Sequence, residues 1–214
     1  MKTGGQRKSP QGRPRASSGT GSAPHEVRII GGQWRSRLLP VADTPGLRPT
    51  PDRVRETLFN WLGQDLTGWR VLDAFAGSGA LGLEAASRGA ASVTMLERER
   101  LLCTVLRQGV DKLGCASTVS VQQAEAVGWM RAAPPTSFDL VFLDPPFSLP
   151  LLAPAMAAAW PLVATSGFVY AEGPSAWAGE MPPGWTLWRQ GRAGAVHYQL
   201  LQCSSYTDSA PGSS

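Results

Sequence analysis

Gly77, Gly79 and Gly82 spell G-x-G-x-x-G shortly after the apolar pair Val71-Leu72 and run into Leu81-Gly82-Leu83-Glu84. A turn of this kind lets backbone approach a bound ligand closely and lets the following helix pack tightly on its strand. It commits the segment to strand, turn and helix, with a site at the carboxyl end of the strand. Alternation continues on the same terms. Strands are expected over 70–75, 92–96, 118–121, 138–143 and 168–172. Between them fall helices over 80–88 (stopped by Gly89), 98–112 (stopped by Gly114), 124–131 and 151–160. The run Phe138-Asp139-Leu140-Val141-Phe142-Leu143 is nearly all apolar, as a central parallel strand should be. Two last strands, 186–190 and 196–202, are joined through 191–194 and should pair antiparallel. The fold class is therefore α/β, with helices on both faces of a sheet.

A chain of 214 residues fits one domain with a substantial core. Residues 145–171 carry no charge, long enough to raise a membrane span. Pro150, Pro154 and Pro161 interrupt the stretch, which reads better as loop, short buried helix, turn and buried strand. Three cysteines without a C-x-x-C spacing and two histidines argue against a disulfide framework and a zinc site. No apolar signal-peptide core occurs among the first thirty residues, so a cytoplasmic protein without membrane or metal is expected.

Charge is distributed unevenly. Residues 1–55 hold eleven Lys and Arg against three acids, whereas the remainder holds nine against thirteen. A basic arm on an acidic globule is the electrostatic signature of a nucleic-acid binder. Residues 1–24 are rich in Gly, Ser, Pro and Arg and read as a disordered basic tail, and 204–214 as a frayed one. In 28–55 the arginines alternate with Ile29, Ile30, Trp34, Leu38 and Leu39, so their charge sits on folded chain. Short strands at 27–30 and 37–39 flank Gly31-Gly32. A helix should then open with Thr50 as N-cap, Pro51 in its first position and Asp52 complementing the dipole. Val54, Leu58, Trp61 and Leu62 recur at helical spacing until Gly63.

The glycine turn alone serves any nucleotide-like ligand. Asp73, four residues ahead of Gly77, adds negative charge that a pyrophosphate resists and a cation welcomes. S-adenosylmethionine, with a sulfonium and an ammonium and no phosphate, fits better than a nicotinamide dinucleotide. A capping role for Asp73 is the structural alternative. Glu97, closing the second strand of the alternating unit, is placed to bind ribose hydroxyls, which both cofactors possess.

Asp144-Pro145-Pro146-Phe147 ends the strand at 138–143. A planar amine attacks a methyl only after its lone pair is turned out of conjugation. The Asp144 carboxylate and the Pro145 carbonyl can accept its two N–H bonds, while Phe147 stacks on the ring. The prolines, Pro145 and Pro146, stiffen this platform. No strong base is needed, because the amine becomes acidic only after transfer, and Asp144 or water can take the proton.

These residues resemble the RsmD-type methyltransferases, which make N2-methylguanine in small-subunit ribosomal RNA. The resemblance spans about residues 27–202. Its most specific parts are RIIGGQWRSRLLPV (28–41) and LRPTPDRVRETLFNWL (47–62), joined by DAFAGSGALGLEAASRGA (73–90) and DPPF (144–147). It implies a Rossmann-like domain with a seven-stranded, mostly parallel sheet over 67–203, and an RNA-holding extension over 25–66. It implies S-adenosylmethionine as cofactor, with Asp73, Phe75, Ala76, Gly77, Ser78, Gly79, Glu97 and Asp144 around it. Glu125-Ala126 stands where the family carries an acid or amide before Ala beside the adenine, with Gln123 as the alternative. The implied substrate is guanine 966 of 16S rRNA, in free RNA or in an assembling 30S particle, and the implied state is a monomer. Arg28, Arg35, Arg37, Arg48, Arg53 and Arg55 are the candidate RNA contacts, with Arg55 also able to pair with Glu56 or another carboxylate. The competing readings are an adenine-N6 or cytosine-N4 DNA methyltransferase and a non-catalytic RNA-binding assembly factor.

Overall fold

The computed structural model describes Met1 and residues 26–42 and 50–204. The expected tails, Met1 and Ser204 apart, lie outside the described residues, as does Arg48. The chain runs through β1 (Glu26–Arg28), β2 (Leu38–Pro40), α1 (Asp52–Trp61), β3 (Arg70–Asp73), α2 (Ala80–Ser87), β4 (Ser92–Glu97) and α3 (Arg100–Leu113). It continues through β5 (Val119–Gln123), α4 (Ala126–Ala132), β6 (Phe138–Leu143), α5 (Leu152–Ala159), β7 (Val163–Gly173), β8 (Trp185–Ala193) and β9 (Val196–Cys203).

Seven strands form one sheet in the order β5-β4-β3-β6-β7-β9-β8. Pairs from β5 to β7 are parallel, and β9 is antiparallel to both of its neighbours. Side chains alternate between the faces of a strand, and two cores result. Val71, Met95, Leu140, Phe142 and Tyr170 pack with α1, α2 and α3. Leu72, Leu96, Val141, Leu143 and Val169 pack with α4 and α5 on the other face. The uncharged stretch 145–171 contains the eight-residue α5, a 3-10 turn at Trp160–Leu162 and most of β7. No helix among the described residues is long and apolar enough to cross a membrane.

Two strands differ from expectation. The strand expected over 168–172 begins five residues earlier, at Val163, because an irregularity in the β6–β7 register absorbs Ser166 and Gly167. Ser166 takes φ +68, and a Cβ at Gly167 would lie 2.7 Å from the Asp139 carbonyl oxygen. Gly191, expected in the last hairpin's loop, lies instead within β8, where a Cβ would sit 2.4 Å from the Tyr198 ring. The two-residue loop is Gly194-Ala195, between the paired Ala193 and Val196.

The N-terminal hairpin is antiparallel, with Val27 opposite Leu39. It is bolted to α2. Gly32 presses so close to the Ser87 carbonyl that a Cβ would approach it to 1.9 Å. Ser87 Oγ donates to the Gly31 carbonyl at 2.6 Å and accepts the Trp34 N–H at 3.0 Å. Below these contacts lies Glu84, fully buried. Its carboxylate accepts the Ile30 and Gly31 N–H groups, each at 2.8 Å, and the guanidiniums of Arg88 at 2.8 Å and Arg55 at 3.3 Å.

Candidate active site

Period-two alternation puts Asp73 on β3, Glu97 on β4, and Phe142 and Tyr170 on β6 and β7 on one face, since Asp73 pairs with both Met95 and Phe142. Two residues beyond Phe142 and Tyr170, the same face carries Asp144 and Glu172. Four carboxyls therefore line the carboxyl edge of four adjacent strands. This is the edge where open α/β sheets bind ligands.

The glycine turn is held from both sides. Gly77 and Gly79 have φ +49 and +80, in the left-handed region. Glu97 accepts the Gly77 N–H at 3.0 Å and the Glu99 N–H at 2.8 Å, one on each oxygen. Each of those oxygens retains a lone pair for a further donor, and two vicinal hydroxyls match that need. Asp73 is buried, and its Oδ2 accepts the Gly82 N–H at 2.9 Å inside α2. Gly82 packs tightly there, since a Cβ would come within 3.0 Å of that oxygen and one of the two would have to shift. Burial pushes the Asp73 carboxyl up to about 7, against the Gly82 hydrogen bond that lowers it. The charges of Asp144 and Glu97 add to the rise.

Asp144 is half-buried, Pro145 is buried, and Phe147 is 43% exposed at the edge. The ring has a free face. Burial pushes Asp144 up to about 6, and the hydroxyl of Thr50, donating to Oδ2 at 3.3 Å, works against that rise. Thr50 does not act as the expected N-cap. Instead Pro51 caps α1 without a side-chain bond, and the hydroxyl serves Asp144, because packing α1 on the sheet brings the two together.

Glu125 is exposed and spends its carboxylate capping α4, accepting the Val127 and Gly128 N–H groups at 3.0 and 2.6 Å. Ala126 is buried at the start of that helix, and Gln123 donates to the Arg98 carbonyl at 3.3 Å. Gln123 pairs with Glu97, and the Ala124 N–H bonds the Glu97 carbonyl, so Glu125 and Ala126 follow directly after that contact.

The arginines divide. Arg55 is 1% exposed and donates to Glu84, Asp52 and the carbonyls of Thr50 and Arg28. Burial removes it from any RNA surface, and its acidic partners are Asp52 and Glu84 rather than Glu56. Arg28, Arg35, Arg37 and Arg53 are exposed. Arg53 lies in the first turn of α1, three residues from Thr50 and hence at the site edge. Arg35 follows Trp34, which bonds Ser87 at the far end of the eight-residue α2. It stands roughly 12 Å down that helix from the glycine turn, at 1.5 Å per residue.

Sequence reasoning missed Thr50 as a partner of Asp144, and missed Tyr170 and Glu172 altogether. The available signal was an acid closing the apolar run Phe168-Val169-Tyr170-Ala171, at the sheet level of Asp144.

This strand order, with a reversed strand inserted near one edge and a glycine turn between acids, defines the class of Rossmann-like methyltransferase domains. The family model described as Conserved hypothetical protein 95 matches residues 27–202. Ribosomal RNA small subunit methyltransferase D of Escherichia coli K12 is 43% identical over 182 residues, covering 83% of this chain and 90% of that one. The Haemophilus influenzae protein of the same name is 40% identical over 193 residues, covering 86% and 97%. The solved structure of yhhF from Escherichia coli superposes with a TM-score of 0.75 at 40% identity, covering 84% and 99%. The chain belongs to the ribosomal RNA small subunit methyltransferase D family.

Proposed function

We propose that the chain transfers the methyl group of S-adenosylmethionine to the exocyclic N2 amine of a guanine in small-subunit ribosomal RNA, at guanine 966 of 16S rRNA as the resemblance implies. The observation that carries this reading is Asp144, fixed by Thr50 at the end of β6 with the Phe147 ring exposed beside it. The names of the curated relatives support the substrate class.

S-adenosylmethionine, when bound, supplies a methyl on a sulfonium and carries net positive charge. The residues present fit it. Glu97 offers acceptors for ribose hydroxyls, Gly77 and Gly79 leave room for close approach, and the acids at the edge suit a cation. A dinucleotide would set its pyrophosphate against Asp73, Glu97 and Asp144, a like-charge arrangement that costs energy. On the substrate side, Asp144 is mostly ionised at pH 7 and accepts one amine N–H, the Pro145 carbonyl accepts the other, and Phe147 stacks on the base. The lone pair is then aimed along one line, and orientation supplies the rate. A paired guanine cannot reach the sheet edge, so the target base is unpaired or flipped. Arg53 is the exposed cation best placed to hold the adjoining phosphate.

The test is transfer of labelled methyl from S-adenosylmethionine to 30S subunits lacking the modification, followed by nucleoside analysis. The expected product is N2-methylguanosine. Label on adenine or cytosine would favour the other amine methyltransferases. Cofactor binding without transfer to RNA would favour the assembly factor.

A further inference from the structure

Glu172 is a buried acid beside the proposed amine acceptor, and nothing in the methyl-transfer chemistry above uses it. β6 and β7 are parallel with Leu143 opposite Ala171, so the next step along both strands sets Asp144 beside Glu172. Adjacent strands lie about 4.8 Å apart, and in-register neighbours share a face. Glu172 is 3% exposed, and it accepts the Tyr170 hydroxyl at 2.8 Å on Oε1. The Thr50 hydroxyl donates to Asp144 Oδ2 at 3.3 Å, on the side chain next to Glu172.

The groups facing Glu172 are Tyr170 on its own strand, Asp144 just past the end of β6, Thr50 ahead of α1 and Tyr198 opposite on β9, with Asp73 behind Asp144. The ion pairs among the described residues include neither Glu172 nor Asp144. Two adjacent carboxyls, one buried and one half-buried, with no ion pair among the described residues, hold one proton between them, because the second charge is too costly.

We propose that Glu172 is a positioning residue: being the more deeply buried of the two, it keeps the proton of the Asp144–Glu172 pair and leaves Asp144, held at Oδ2 by Thr50, as the anion that accepts the substrate amine. The inference rests on the reading of Asp144 as amine acceptor. Tyr170 donates to Oε1 of Glu172, which leaves the acid proton on Oε2. Thr50 donates to Asp144 Oδ2, and Oδ1 of Asp144 is left for the amine. No covalent bond changes; the arrangement sets charge and direction only. Burial, reinforced by the Asp144 charge, pushes Glu172 up to about 8, consistent with a proton held at neutral pH. Above that pH two adjacent carboxylates repel each other and disturb the setting of Asp144.

Two measurements on the full-length protein test this. In infrared difference spectra of wild type against Glu172→Gln, a protonated-carboxyl band is expected at pH 7 and gone at pH 9.5. This readout needs no substrate, so it stands apart from the identity of the methylated base. In steady-state transfer, wild-type kcat should fall above about pH 8. Glu172→Gln keeps both hydrogen-bonding ends without titrating. It should retain kcat within a few-fold at pH 7 and lose the alkaline fall, while Glu172→Ala should lose about tenfold or more in kcat with cofactor affinity unchanged. Absence of the band at pH 7, or superimposable pH profiles for wild type and Glu172→Gln, would overturn the proposal. Transfer to a different base with the profile shift intact would overturn the substrate reading and leave the role of Glu172 standing.

Discussion

Glu84→Gln tests what holds the basic hairpin to the methyltransferase domain. The substitution keeps volume and shape but removes a charge that two guanidiniums and two backbone N–H groups share. Glu84, Arg55 and Arg88 are 0%, 1% and 4% exposed on their side chains, so solvent screening gives little relief. Asp52 remains on Arg55 at 2.7 Å, but it is 57% exposed and cannot replace the lost charge for Arg88. Breaking one side of a buried pair costs about 3–5 kcal/mol. An amide also turns a donor toward at least one of the two N–H groups, and an orphaned buried N–H adds about 1–3 kcal/mol. The sum, roughly 4–8 kcal/mol, is a large part of the 5–15 kcal/mol that holds an ordinary domain folded. In urea, with a slope of about 2 kcal/mol/M, a loss of 4 kcal/mol lowers the midpoint by about 2 M. Tryptophan fluorescence reports it, since Trp34 sits on the same joint through its bond to Ser87. A double-mutant cycle with Arg88→Met should show strong coupling, the second change costing far less once the first is made. A Glu84→Gln protein within about 1 kcal/mol of the parent would refute the reasoning, and would mean that water or a neighbouring acid compensates the guanidiniums.

Three further outcomes follow from the site. Phe147→Ala should cost about 1–3 kcal/mol of transition-state stabilisation, read as kcat/KM for RNA, while Phe147→Tyr is mild; equal behaviour of the two would remove the ring from base stacking. Arg53→Ala should weaken RNA binding and lower its salt slope by about 0.7 for each single-strand phosphate left without its cation, and Arg35→Ala less so; the reverse ranking would move the RNA path to the far end of α2. Cofactor affinity should rise from pH 5.5 to 8, because burial raises Asp144 to about 6 and Asp73 to about 7 and a cation favours their ionised forms. Binding then releases protons, and calorimetry in two buffers of different ionisation enthalpy should give different heats; equal heats and a flat affinity would contradict it. The same sign makes the ligand-free fold lose stability as pH rises from the unfolded carboxyl range near 4 toward 8, since its buried acids resist ionising.

Features set by local pattern were legible in the sequence. The glycine turn, the helices closed by Gly89 and Gly114, and the apolar strand ahead of Asp144 all depend on neighbours within a few residues, and all stand where expected. What escaped depends on partners far along the chain. Arg55 stood among the candidate RNA contacts with pairing to a carboxylate as its alternative, and only the packing of α1 on α2 identifies that carboxylate as Glu84, 29 residues away. Thr50 satisfies the composition rule for an N-cap, yet a partner 94 residues away takes its hydroxyl. The first half of β7 was hidden because a register irregularity at Ser166-Gly167 carries the letters of a turn. Glu172 closes an apolar run as a polar boundary residue would, and its meaning appears only when β7 is laid beside β6.

The separation of charge in the sequence then acquires a physical reason. An edge that binds a cation wants carboxyls, and those carboxyls repel the phosphates of the RNA that must reach the same edge. A single surface cannot satisfy both demands. Under the proposed function the chain meets them with two pieces: acids fixed at strand ends, and exposed arginines carried on the hairpin and on α1. The Glu84 cluster joins the pieces, with its own two arginines neutralised inside and the exposed ones left outside. Loosening that joint should therefore raise KM for RNA before it changes cofactor affinity. Equal loss of both in Glu84→Gln, measured at a temperature where the variant is still folded, would show that the hairpin shapes the cofactor site directly.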